Sequence, residues 1–194
     1  MSSPVSQEST RRRLTQQQAE TVTRLTDAAV DVLNADGFDG LTVRAVAKLA
    51  GVAPATAYTY FSSKSHLVAE VFWRRLSAGV CDPDPAATAT DRVAQVLREV
   101  SMVVAGEGQL GGAVTMALLG TDPDVEHLRV RIGGFIRKRL AEALEVDRGE
   151  PGPLVDALEM IYAGGLVHAG MGHMSYEQTS ERLVAAAHLL MEKS

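Results

Sequence analysis

Between residues 43 and 61 the chain reads VRAVAKLAGVAPATAYTYF, and here residue types and spacing point to a chemistry. Two short helical stretches flank Gly51, and a sharp three- or four-residue turn between helices often holds a glycine. Ala47, four residues earlier, is small where two such helices would cross. Val46, Ala50, Val52 and Ala57 supply apolar positions for a shared core. The rest of the second stretch is small or hydroxyl-bearing: Ala53, Ala55, Thr56, Tyr58, Thr59 and Tyr60. A face this thin fits a DNA major groove, where its methyls meet thymine methyls and its hydroxyls bond bases or phosphates. Lys64, beside the N-terminal N–H groups of the next helix, suits a phosphate. Arg44 is the one guanidinium in the region within reach of a base. The competing reading is a plain helical hairpin packed with small residues. Helix-Gly-helix spacing does not separate the two, and the outer-face composition favours nucleic acid.

The elements that must position these residues are all helical. Val22, Leu25, Thr26, Ala29, Val32 and Leu33 recur at three- and four-residue spacing, which predicts a helix over 16–35 stopped by Asp36-Gly37. Thr42 is the expected N-cap of a helix over 43–50, and Pro54 opens one over 54–60. Ser62 or Ser63 caps a long helix over 64–80. Further helices are expected over 91–105, 110–119, 124–146, 153–171 and 176–192, separated by Gly- and Pro-rich breaks. No strand pattern and no internal repeat is legible, so the expected fold is all-α with about nine helices. The expected organisation is a basic arm over 1–14 ending in Arg11-Arg12-Arg13, a helix-turn-helix head over 15–63 and a helical body over 64–194.

Trp73, Met102, Met116, Leu119, Phe135, Met160, Tyr162, His168 and Met171 are candidate lining for an apolar cavity in the body, since methionine adapts to varied apolar ligands. Ordinary core packing is the alternative for each of them. His168 and His173 are five residues apart, the wrong spacing for two ligands on one helical face, so no metal site is expected. Glycine within a helix costs about 1 kcal/mol relative to alanine, so Gly164 and Gly165 point to close packing. With Leu183, Ala187 and Leu190 they are the candidate interface of a homodimer, two helices from each copy forming a four-helix bundle. Arg137-Lys138-Arg139 is expected to be a solvated face.

Composition excludes several classes. With 46% hydrophobic residues the chain is globular, and its net charge of −5 requires any DNA binding to come from a local basic face. The single cysteine, Cys81, cannot form an internal disulfide, which fits a reducing cytoplasm. No membrane span is expected. No catalytic triad, paired carboxylates, phosphate loop or cofactor motif is visible; Asp82 and Asp84 have no evident partner. An enzyme is therefore not expected.

Residues 34–64, NADGFDGLTVRAVAKLAGVAPATAYTYFSSK, resemble the DNA-binding head of the tetracycline-repressor (TetR) family. Gly37-Phe38 matches its first turn, Leu41-Thr42-Val43 the start of its second helix and Ala50-Gly51-Val52 its central turn. Tyr58, Tyr60-Phe61 and Ser63-Lys64 match its ending. The resemblance implies a homodimer that places its third helix in the major groove of a palindromic double-stranded operator. It also implies a repressor released by a small molecule held in the body, which the candidate lining makes apolar; a constitutive or architectural dimer without inducer is the alternative. Phosphate contacts carry over to Thr42, Tyr58, Tyr60 and Lys64, and base contacts to Arg44, Ala53, Pro54, Ala55, Thr56 and Thr59. Ala57 stands where a bulky leucine is common, and Ala53-Pro54-Ala55 replaces a more polar start. Methyl contact and shape readout are therefore expected to outweigh bidentate hydrogen bonding.

Overall fold

A computed structural model describes residues 16–146 and 152–192; the expected basic arm lies outside them. Among the described residues there are nine helices and no strand: α1 (Gln16–Gly40), α2 (Val43–Leu49), α3 (Pro54–Tyr60), α4 (Lys64–Gly79), α5 (Ala89–Met102), α6 (Leu110–Leu119), α7 (Pro123–Ala143), α8 (Pro153–Gly170) and α9 (Tyr176–Met191). None is long and apolar enough to cross a membrane.

Local chemistry accounts for most boundaries. Thr42, Ser63, Thr88, Asp122 and Ser175 each accept a backbone N–H as N-cap, and Pro54, Pro123 and Pro153 stand in first turns. Gly37 adopts φ 68°, ψ −179°, a backbone region essentially reserved for glycine. It breaks α1 where a stop was expected, and one further turn carries the chain to Gly40. Between α2 and α3, Val52 N–H donates to Ala47 O at 2.9 Å and Gly51 N–H to Lys48 O at 3.3 Å, with Gly51 at φ +63°. That is a Schellman cap, which ends α2 and reverses the chain within a few residues.

One apolar cluster runs through the whole molecule. In the head it is built from Leu25, Leu33, Leu41, Val46, Ala47, Ala57 and Phe61, all buried. It continues through Leu67, Val68 and Phe72 of α4, which packs on α1 and also on α6 and α7. Small residues set the close approaches in the body. A Cβ on Gly170 would stand 1.8 Å from Thr115 Oγ1, and one on Gly111 2.0 Å from the Tyr176 hydroxyl. Arg92 is buried; its Nε donates to Ala143 O at the end of α7 (2.8 Å) and its Nη2 pairs with Glu145 at 3.0 Å. A cation at a helix C-terminus offsets the dipole there.

The expected solvated face at Arg137-Lys138-Arg139 is corrected in part. Arg137 pairs with Asp156 at 2.7 Å and with Glu159, while Arg139 pairs with Asp82 and Glu142 and lies over the Phe135 ring. Asp82, read as partnerless, thus has its partner on α7, 57 residues away.

A Cβ at Gly51 would meet nothing within 4 Å, so substitution there tests the backbone alone. Gly51→Ala is expected to destabilise the protein by about 1–2 kcal/mol, and Gly51→Asn by less. The urea midpoint measures this, and an unchanged midpoint for Gly51→Ala would refute the turn.

Candidate nucleic-acid interface

Helix α3 has a sharply divided surface. Ala57 is completely buried where α3 packs on α2, while Ala53, Pro54, Ala55, Thr56, Tyr58 and Thr59 are all exposed. The small buried residue lets the helix sit close to the head core, so its outer face stands as a narrow ridge. Thr59 donates its hydroxyl to Ala55 O at 3.0 Å, which leaves its methyl and lone pairs outward. Tyr58 is 52% exposed. Tyr60, read with Tyr58 as part of the outer face, is half-buried, with its ring tilted against Phe61 at 6.5 Å.

Thr42, Arg44, Lys48 and Pro54 rim one shallow groove between α2 and α3. The Thr42 oxygen accepts Ala45 N–H at 3.0 Å as the α2 cap, so its own hydroxyl proton points to other partners. Lys48 escaped the sequence reading, although its spacing of four from Arg44 puts both cations on one face of α2. Arg24 also escaped it; its Nη1 lies 3.5 Å from Ala50 O at the turn. The exposed cations Arg24, Arg44 and Lys48 thus gather beside α3 in a chain of net negative charge.

Lys64, the expected phosphate ligand, also has a partner within the chain. Its ammonium donates to Phe38 O at 2.8 Å and lies 4.4 Å from the Phe38 ring centroid. It therefore ties the last turn of α1 to the start of α4. Beside it, the Ser63 hydroxyl accepts His66 N–H (3.0 Å) and donates to Asp122 Oδ2 (2.5 Å). Asn34 of α1 accepts the Gln109 N–H at 3.1 Å. These contacts join the head to the α5–α6 and α6–α7 turns.

The body holds an apolar cavity of about 210 Å³ among α4 to α9. Of the nine expected pocket residues only Leu119 and Tyr162 line it. Trp73 and Phe135 stack edge-to-face at 5.5 Å elsewhere, with Arg131 over the indole. Met102 borders an open cleft between α1, α4 and α5. Met116, Met160 and Met171 are exposed, and His168 lies on the outer face of α8 and α9. The lining includes Val114, Leu118, Ile132, Ile136 and Leu166, with polar groups from Thr115, Arg129, Tyr162 and Tyr176. Arg129 and Tyr176 were missed because a lone Arg on a charged helix and a Tyr at a helix start carry no periodic signal.

The expected dimer residues are also redistributed. Leu183 and Ala187 are buried within the chain, Leu190 is half-buried against the core, and a Cβ on Gly165 would touch Leu183 and Thr179 at 3.2 Å. Gly165 and Leu183 thus hold α8 against α9 of the same copy, and α9 also packs along α5. Gly164 faces open space, and Met160 (75%) and Leu189 (62%) are exposed on the same helix pair.

The sequence pattern of the bacterial regulatory proteins of the tetR family matches residues 25–71. An uncharacterized HTH-type transcriptional regulator of Mycobacterium tuberculosis is 44% identical over 168 residues, 86% of this chain and 78% of the relative. A TetR transcriptional regulator from Rhodococcus superposes with a TM-score of 0.73 at 20% identity, over 93% of this chain and 99% of that one. The Bacillus subtilis regulator FadR, solved in complex with stearoyl-CoA, superposes at 0.59 with 21% identity, over 85% and 96% of the two chains. The last two show a common fold.

The junction carries a pH dependence. Burial, and then the neighbouring His127, hold His66 below its ordinary pKa, against smaller opposing effects of Glu70, Asp124 and Asp122. The unfolded imidazole binds its proton near 6.5 and the folded one only at lower pH. Stability is therefore whole above the unfolded value and is lost as pH falls through the folded one. Asp122 acts in a lower window: the Ser63 hydrogen bond depresses its pKa, so its contribution is lost only as pH falls below the ordinary carboxyl range. Between about pH 7 and about pH 5.5 the urea midpoint should fall more in the wild type than in His66→Gln; equal falls would contradict the assignment.

Proposed function

This chain belongs to the tetR family of bacterial regulatory proteins, and from that premise we propose that it is a homodimeric, sequence-specific DNA-binding repressor released from a palindromic operator by a small apolar effector. The observation that carries the reading is the exposed ridge of α3 flanked by Arg44 and Lys48. An α-helix with small outward side chains enters the major groove without steric cost, and flanking cations supply the sequence-independent attraction to phosphate. Thr42, Tyr58, the exposed edge of Tyr60 and the remaining N–H donors of Lys64 serve as phosphate contacts, with Lys48 beside them. Arg44, Ala53, Pro54, Ala55, Thr56 and Thr59 face the base edges. Alanine and threonine methyls favour thymine, and Arg44 can make a bidentate bond to guanine.

Dimerisation follows from symmetry. An operator with two half-sites needs two heads, and the exposed Met160 and Leu189 on α8 and α9 supply an apolar patch beside Gly164. Pairing this patch with its symmetry mate completes a four-helix bundle. The body cavity favours effector control over a constitutive binder, because a dimerisation module has no need of one. FadR of Bacillus subtilis, with its stearoyl-CoA, offers an analogy for an apolar effector in this fold. Residues 16–63 serve as head and 64–192 as effector and dimerisation body.

Duplexes selected from a random pool, followed by fluorescence anisotropy across salt concentrations, test the reading. The selected site is expected to be a palindrome bound by two chains or more, with affinity falling steeply in salt. Lys48→Ala should flatten the log–log salt slope by about 1 per bound chain, whereas Arg44→Ala should relax the selected sequence at one base pair of each half-site and Thr56→Ala should change the selected sequence more than the affinity. Selection of no consensus would reduce the protein to an architectural binder. Met160→Glu should give folded monomers by light scattering, and a mutant that remains dimeric would move the interface elsewhere.

A further inference from the structure

Arg129 is an unusual member of the cavity wall. The other half-buried or buried arginines of the body, Arg74, Arg92, Arg137 and Arg139, each pair with a carboxylate. Arg129 is half-buried too, yet among the described residues no carboxylate lies within ion-pair distance of it; Asp122, on the turn it bonds, feels its charge from farther off. Its Nη1 donates instead to Gly120 O at 2.9 Å and Leu118 O at 3.4 Å. Those carbonyls leave most of its five N–H donors uncommitted. The cavity it borders is otherwise apolar, except for Thr115, Tyr162 and Tyr176. Burial, with Glu159 adding to it, pushes the Tyr162 phenol up to about 12, and burial raises Tyr176 as well. Both phenols therefore keep their protons and are available as donors.

One cation and two hydroxyl donors facing an apolar space form a receptor for an anion. We propose that this cavity binds a small monocarboxylic acid, its carboxylate on Arg129 and its compact apolar body against Val114, Ile132, Ile136 and Leu166. A single guanidinium balances one negative charge; a phosphate dianion would carry an uncompensated charge into low dielectric. The planar carboxylate also matches the guanidinium fork. At about 210 Å³ the space is below the roughly 300–1,000 Å³ of sites for drug-sized ligands, which selects a short chain or a single ring.

The position of Arg129 also connects the ligand's charge to the head. The guanidinium holds the C-terminal end of α6 through Leu118 and Gly120, and two residues on Asp122 accepts the Ser63 hydroxyl at the N-cap of α4. A carboxylate competing for Arg129 acts on the turn that anchors the start of α4. This assignment of the effector rests on the regulator reading above, but binding itself is measurable without DNA.

Titration calorimetry on the full chain, with octanoate and benzoate against octan-1-ol and benzyl alcohol as neutral counterparts, tests the proposal. Each acid should bind about tenfold or more tightly than its alcohol, and Arg129→Gln should abolish that preference while leaving alcohol binding intact. Tyr162→Phe, which removes one donor without disturbing the Arg129 ties, should weaken the acids alone by a few-fold. Alcohols binding as tightly as the acids, or a preference that survives Arg129→Gln, would overturn the assignment. So would the failure of either acid to bind a protein that still binds its selected duplex, and the regulator reading would then stand. An acid preference in a protein that binds no duplex would leave the cavity assignment intact and remove the regulator reading.

Discussion

The DNA-binding face of this protein depends on how closely α3 packs on α2. Ala47 and Ala57 are both completely buried, and the chain reverses between their helices through the Schellman cap at Gly51. Extra methylenes in a well-packed core cost about 1–3 kcal/mol, so either alanine could grow only by pushing α3 outward. The close crossing presents Ala53 to Thr59 as a narrow exposed ridge and brings Arg44 and Lys48 to its flank. DNA recognition here is a consequence of small residues packed inside the head as much as of the residues outside it.

The same logic extends from head to body. Lys64 and Ser63 act at one point of the chain: the first holds the last turn of α1, the second caps α4 and reaches Asp122 on the far side. An alteration at the α6–α7 turn therefore reaches the helix that leads directly out of α3. A network of this kind couples two sites only if the effector has different affinities for its two arrangements. Arg129, which bonds to that turn and borders the cavity, is the residue placed to provide the difference.

The helices and the head were largely legible in the sequence, because their signals are local. Thr42, Ser63, Pro54 and Gly51 mark boundaries by their own hydrogen-bonding and φ preferences, and Ala47, Val46 and Ala57 by spacing. The cavity was not. In α6 and α8 nearly every position is apolar or small, so periodicity does not say which of Met116, Val114, Met160 or Tyr162 turns inward. Leu183 and Ala187 have the pattern of an interface stripe, yet the same pattern serves packing against a neighbouring helix of the same chain. The contacts of Lys64 and Arg139 were illegible for another reason: their partners, the Phe38 carbonyl and Asp82, lie 26 and 57 residues away, beyond any local pattern.

The most direct measurement of the central claim is amide hydrogen exchange of the full chain, alone and with its selected duplex. If α3 reads DNA, protection should rise across residues 53–60 and at the start of α2 around Thr42 and Arg44, with little change on the outer face of α8 and α9. Protection that bypasses α3 and appears elsewhere on the chain, or a duplex that binds without altering exchange in residues 42–60, would contradict the account.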